Sequence, residues 1–351
     1  MSVHERTPTA SRGWVQSYVR MDSKTVIITG ANQGIGYETA LDLAGRGARV
    51  IMACRRTDAG REARLKIIQE VPDAVVEVRR LDLASFASIY EFARDMKLNE
   101  PRLDVLINNA AVMGCPKSRT VEGFDMQMGV NYIGHFLLTE LLLDLLKRTG
   151  AISAPTRVII VSSMTHKFGR MKWDDIMHDN NYSPLKMYFQ TKLANIYHCL
   201  ELANRLQGSL VTCNCLHPGM ALTSLADHVK QGDGYSCCLR CFFTSCCCCM
   251  EKTVYIPPKA AAQTSIYCTI AHELRLVSGS YFNKCAEERL TGHAYNDEAA
   301  MRLYDMTMKW IERGTPTISP VHIGESSLNT PAQGRRSIEG IPPEQMQMLR
   351  E

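Results

Sequence analysis

The sequence predicts an α/β fold, a single Rossmann-type doubly wound parallel sheet with helices on both faces. Three observations lead there. From Lys24 onward, short β-rich runs alternate with longer amphipathic stretches, the pattern of βαβ units. The segment Thr29-Gly30-Ala31-Asn32-Gln33-Gly34-Ile35-Gly36 follows the first run directly and opens a helical stretch. The alternation continues to about Glu312 with no Pro/Gly/Ser-rich linker inside it, so one large domain is expected.

The strand candidates, in order, are KTVIIT (24–29), ARVIMA (48–53), VVEVRRLD (75–82), LDVLINN (103–109), RVIIVSS (157–163) and LVTCNCLHPG (210–219). Such dense apolar runs suit strands covered on both faces. Residues 1–22 are assigned to an N-terminal extension and 23–313 to the Rossmann domain. Residues 314–351 form a tail rich in Pro, Gly and polar residues; it is expected to be disordered, since it buries too little apolar area to offset its ordering entropy.

Of 351 residues, 45% are hydrophobic and the formal charge is +4, which excludes a wholly disordered chain or a collagen-like fibre. A slight positive excess without concentrated basic surface gives no reason to expect nucleic acid. The first twenty residues hold no apolar run, so no signal peptide is expected and a cytosol-facing, reducing setting follows for the fourteen cysteines. No apolar stretch reaches about eighteen residues, so no transmembrane helix is expected.

Glycines between a strand and a helix permit a tight turn and close backbone approach, and the helix start offers unpaired N–H groups to a pyrophosphate. A dinucleotide fold normally ends its second strand with an acid for the ribose 2′-hydroxyl, but here the strand runs into Cys54-Arg55-Arg56. A cation suits a 2′-phosphate, so the expected cofactor is NADP(H). Asp82 ends the third strand, where an acid can accept a bond from the adenine amino group.

Tyr188 and Lys192 stand four residues apart at the start of a helical stretch, which puts phenol and ammonium on one face. At ~4 Å and an effective dielectric of ~20 the two charges would interact by about 4 kcal/mol, drawing a phenol whose pKa is ordinarily near 10 toward working pH. Tyr188 could then shuttle a proton. Ser162-Ser163 end a buried-type strand at the carboxyl edge, where open α/β sheets bind ligands. Asn108-Asn109 end another, and His217-Pro218-Gly219 follow a third, with Thr223 four residues beyond Gly219.

TGANQGIG, NNAA, Asn131, the paired serines, YFQTK and HPG together resemble the short-chain dehydrogenase/reductase family, over about 24–311. Phrases such as VIMACRR, VNYIGHFLLT and LHPGMALTSL are similar to its retinol dehydrogenase branch. The resemblance implies Tyr188 as general acid/base, Lys192 as its electrostatic partner and ribose ligand, and Ser163 as the donor to the substrate oxygen. It implies Asn131 at a helix kink, holding a water that relays protons from Lys192. Gly30, Gly34 and Gly36, with Asn32 and Ile35, would shape the pyrophosphate loop. Arg55 would meet the 2′-phosphate, Asp82 and Leu83 the adenine, and Asn109 the ribose; Pro218, Gly219 and Thr223 would face the nicotinamide. No metal is expected. Thr191 stands where the branch usually has serine, with little effect anticipated, and the apolar N-terminal anchor found in several retinol dehydrogenases is not expected here.

Seven cysteines crowd between Cys237 and Cys249 beside Phe242 and Phe243. Acylation of these thiols would attach the chain peripherally to an intracellular membrane such as the endoplasmic reticulum. Metal binding and a soft apolar lining of the substrate entrance are the competing readings. The expected activity is interconversion of a lipophilic alcohol and its aldehyde or ketone, retinol-like by resemblance, with a steroid, prenol or xenobiotic carbonyl as the near alternative. A non-catalytic NADP(H)-binding sensor or scaffold is the alternative of another class. The helical stretches 131–147 and 188–206 could pair two copies in a homodimer or serve the core.

Overall fold

The computed structural model describes residues 10–11, 13–221, 225 and 256–313. Thr223, the 237–249 cysteines and the 314–351 tail lie outside the described residues. Eight strands form one sheet: β1 (Thr25–Thr29), β2 (Arg49–Cys54), β3 (Val76–Arg80), β4 (Val105–Asn108), β5 (Thr156–Val161), β6 (Val211–His217), β7 (Tyr281–Asn283) and β8 (Ala286–Glu287). Their order across the sheet is 3-2-1-4-5-6-7-8. Strands β1 to β7 are all parallel, as expected. The sheet then departs from that expectation at one end, where β8 turns back antiparallel to β7. The turn passes through Lys284 (φ 50°) and Cys285 (φ 57°), two left-handed residues with none of the Asn-Gly chemistry by which such turns are recognised.

Successive residues of each strand feed opposite faces. Ile27, Ile51, Val158 and Ile160 belong to one core, while Val26, Ile28, Val50, Met52, Ile159 and Val161 belong to the other. The first core is covered by α3 (Phe86–Asn99), α4 (Met126–Thr149), α5 (Pro184–Arg205) and α7 (Asp297–Arg313). The second is covered by α1 (Gly34–Gly45), α2 (Thr57–Glu70) and α6 (Pro258–Ile270). Sequence apolarity on both faces of every central strand thus becomes two cores separated by one sheet.

Polar groups inside this packing are tied to backbone. Half-buried Arg157 of β5 donates to Cys268 O (2.8 Å) and Ala271 O (2.7 Å), satisfying carbonyls that the end of α6 leaves open. Ahead of β1, Ala10–Ser11 and Trp14–Val15 form a short ribbon, and the Val15 N–H donates to Gln263 Oε1 of α6 at 3.0 Å. Helix α4 is long and apolar enough to cross a membrane, but 78% of its most apolar window is buried inside the fold; it is a core helix here. The seven described cysteines are buried and none forms a disulfide.

Candidate active site

The strand order reverses between β1 and β4, and open α/β sheets bind ligands at that crevice. Gly30 (φ 65°) and Gly34 (φ 58°) take the left-handed backbone that favours glycine. Gly36 is glycine for a different reason, close packing: a Cβ there would lie 2.5 Å from Gly30 O and 2.6 Å from Asn109 Nδ2. A cleft of about 300 Å³ opens over this turn. Asn32 and Ile35 line it with the three glycines; Arg55, Asp82 and Leu83 line it from the ends of β2 and β3; Asn109 lines it from β4.

The cleft fits a dinucleotide. Gln33 makes no side-chain capping bond at the start of α1, and the first turn carries no acid, so the helix start is left for an outside anion. Arg55 and Arg56 both reach the cleft, are exposed, and enter none of the ion pairs among the described residues. Asp82 Oδ1 accepts from the Ala84 N–H at 3.0 Å, which fixes its carboxylate at the cleft wall. Pro218 and Gly219 follow β6 but are not part of this wall; the Gly219 N–H donates to His217 Nδ1 at 3.3 Å.

At the inner end of the cleft, Met113 packs against Tyr188 in a small apolar cluster with Leu185, Phe189 and Leu225. Ser163 lies near enough to the Tyr188 phenol to lower its pKa against the effect of burial. Ser163, rather than Ser162, is available to a substrate: Ser162 Oγ is buried and donates to Lys192 O at 2.7 Å. Lys192 Nζ lies 5.6 Å from the Tyr188 ring centroid and donates to Val161 O at 3.0 Å.

Asn131 sits in a five-residue π-helical turn, Gly129–Ile133, within α4, a distortion frequent at functional sites. Its side chain is fully held by protein. Nδ2 donates to Val112 O (2.9 Å) and Thr191 Oγ1 (3.1 Å), and Oδ1 accepts from the Val112 N–H (2.8 Å). Thr191 in turn donates to Tyr188 O at 2.8 Å. Its hydroxyl therefore joins α4 to the helix of Tyr188, a role that serine would also fill and that the sequence did not disclose.

Electrostatics differ from the sequence expectation. Burial pushes the Tyr188 phenol above its ordinary range, with nearby Ser163 opposing it in part. Burial pushes the Lys192 ammonium down to about 7. Desolvation disfavours the charged form of each, and at this separation it outweighs the attraction on which the sequence argument relied. Tyr188 is thus held as a neutral phenol near neutral pH.

Sequence reasoning also missed Thr29, His135 and the apolar cluster, which become visible only through packing between distant segments. Thr29 Oγ1 accepts from the Asn109 and Ala110 N–H groups, both at 2.9 Å.

A family model described as short chain dehydrogenase matches residues 24–234. Retinol dehydrogenase 14 of Mus musculus is 42% identical over 297 residues, covering 82% of this chain and 85% of its own. Retinol dehydrogenase 13 of Mus musculus is 45% identical over 293 residues, covering 83% and 85%. Retinol dehydrogenase 12 of Homo sapiens is 41% identical over 295 residues, covering 84% and 88%. Among solved structures, an uncharacterised protein from Mycobacterium paratuberculosis superposes with a TM-score of 0.62 at 33% identity, covering 83% of this chain and 95% of its own. A short-chain dehydrogenase from Shigella flexneri complexed with NADP shares the fold, with a TM-score of 0.57 at 22% identity, covering 77% of this chain and 100% of its own.

Proposed function

The chain belongs to the short-chain dehydrogenase family, as an oxidoreductase acting on CH–OH groups with a nicotinamide dinucleotide, and from that premise we propose that it uses NADP(H) to interconvert a lipophilic, retinol-like alcohol and its aldehyde. The observation that carries this is the apolar cluster of Met113, Leu185, Phe189 and Leu225 packed around Tyr188, two of whose members, Met113 and Leu225, also line the cleft. An apolar wall beside one proton donor suits a long hydrocarbon ending in a carbonyl. The two arginines at the cleft, without an acid between them, support the phosphorylated cofactor.

Gly30, Gly34 and Gly36 would hold the pyrophosphate, Arg55 the 2′-phosphate, and Lys192 the ribose. Bound NADPH supplies a hydride to the carbonyl carbon. Ser163 Oγ and the Tyr188 hydroxyl hold the carbonyl oxygen, and Tyr188 delivers its proton to that oxygen as negative charge develops. A phenol kept neutral by burial is suited to the reducing direction. Lys192 stabilises the phenolate that remains, regaining through that charge the proton affinity that burial removes. Asn131 and Thr191 fix the helix that presents the tyrosine.

The test follows NADPH absorbance with all-trans-retinal in detergent or liposomes, beside NADH and beside Tyr188→Phe. Turnover with NADPH that disappears in the Phe variant supports the proposal. Faster turnover with NADH overturns the cofactor assignment, and NADPH binding without turnover of retinal overturns the substrate.

A further inference from the structure

His135 has no role in the site described so far. It is 2% exposed, one turn beyond Asn131 on α4, with Nε2 2.8 Å from Thr29 Oγ1 and Nδ1 3.2 Å from Asn131 O. Hydrogen-bond accounting fixes its tautomer. A hydroxyl accepts two bonds and donates one. Both acceptor positions of Thr29 are filled, by the Asn109 and Ala110 N–H groups. A donating Nε2–H would be a third donor, so the Thr29 hydroxyl gives its proton to Nε2. The alternative acceptor, Ile107 O, stands farther off at 3.4 Å. The ring proton is therefore on Nδ1 and points to the Asn131 carbonyl. A neutral ring agrees with the surroundings, since burial and nearby Lys192 both disfavour imidazolium and the Asn131 bond opposes them only in part.

We propose that His135 is a positioning residue that ties the nucleotide turn to the proton-transfer site through one neutral imidazole. On one side it orients the Thr29 hydroxyl, which holds the backbone of Asn109 and Ala110 beside Gly30. Asn109 Nδ2 closes the same turn by donating to Thr29 O at 2.8 Å. On the other side it engages the carbonyl of Asn131, the residue whose side chain reaches Thr191 and, through it, the Tyr188 backbone. The two halves of the site are contributed by segments 106 residues apart, and among the described residues this ring is bonded to both.

The proposal rests on the dehydrogenase reading above, and its test separates the two ends of the ring. His135→Leu breaks both bonds; Gln places an amide oxygen near Nε2 and can accept from Thr29; Asn places an amide nitrogen near Nδ1 and can donate to Asn131. NADPH affinity is read by fluorescence titration, kcat by retinal reduction, and folding by thermal unfolding. Leaving buried partners unsatisfied predicts a loss of about tenfold in both NADPH affinity and kcat for Leu. Gln should restore affinity more than kcat, and Asn kcat more than affinity. If Leu does not fold, the opposite responses of Gln and Asn carry the test, since Thr29→Val would also strip the acceptor from the Asn109 and Ala110 N–H groups. A folded Leu variant within twofold of wild type in both quantities overturns the proposal, as does equal failure of Gln and Asn to restore either. A wild-type chain that binds no NADPH overturns both this inference and the reading beneath it.

Discussion

Replacing Lys192 by methionine should give an inactive protein that is harder to unfold. The ammonium is 2% exposed and burial takes it from 10.5 down to about 7. Its folded pKa thus lies below its unfolded one. Between about pH 7 and 10.5 the unfolded chain binds the extra proton, and wild-type stability rises with pH. At about 1.4 kcal/mol for each tenfold in proton affinity, the cost of burying Lys192 at pH 7 is of order 4 kcal/mol at most. Methionine fills nearly the same volume without that cost. The bond it removes is covered, because Val161 O also accepts from Asn195 Nδ2 at 3.3 Å. At roughly 2 to 4 °C per kcal/mol, even half of the ceiling moves the midpoint by several degrees. Urea and thermal unfolding of both proteins without added cofactor, at pH 7 and pH 10, check it. The stability gap should favour Lys192→Met at pH 7 and narrow toward pH 10. A variant less stable than wild type at pH 7, or a gap indifferent to pH, refutes the reasoning.

Arg55→Glu should raise the KM for NADPH by about tenfold or more while leaving NADH unchanged or improved, since it replaces the cation suited to a 2′-phosphate with the acid suited to a hydroxyl; paired cofactor titrations measure it. Gly36→Ala drives a Cβ against Gly30 O and Asn109 Nδ2, and a loss of about 1–3 kcal/mol in urea unfolding, with NADPH binding abolished, is expected. Phe189→Ala opens the apolar wall and should raise KM for long-chain aldehydes more than for short ones, by about 0.8 kcal/mol for each substrate methylene left uncovered; a chain-length series reads this out. Asn131→Ala removes both bonds to Val112 and the bond to Thr191, and should lower kcat at least tenfold with a smaller effect on NADPH affinity.

The central strands were legible because dense apolar runs leave few alternatives, and the glycine turn because its strand and helix adjoin it in sequence. The β7–β8 hairpin was hidden because its turn runs through left-handed Lys284 and Cys285, which carry none of the usual turn chemistry. Tyr188 and Lys192 were found by type and spacing, Ser163 by its place at a strand end and the family resemblance, and the structure brings Tyr188 and Lys192 together. The sign of their electrostatics was beyond a sequence argument, which knows the distance along a helix but not the depth of burial. His135 resisted for a related reason. A histidine in an apolar helix reads as core until Thr29, far away in the chain, supplies the other end of its bond.

That hairpin also bears on self-association. β8 is two residues long and exposed, so it offers a second molecule almost no ladder to extend. At the opposite margin, β3 carries Glu77 and Arg79, paired with Arg49 and Asp95, and Arg64 Nε occupies Val76 O at 2.7 Å. A short strand at one margin and charge with a plugged carbonyl at the other are the devices by which sheets resist strand addition. Two copies of this chain could therefore meet through helices, but the sheet itself is closed to fibril-like growth.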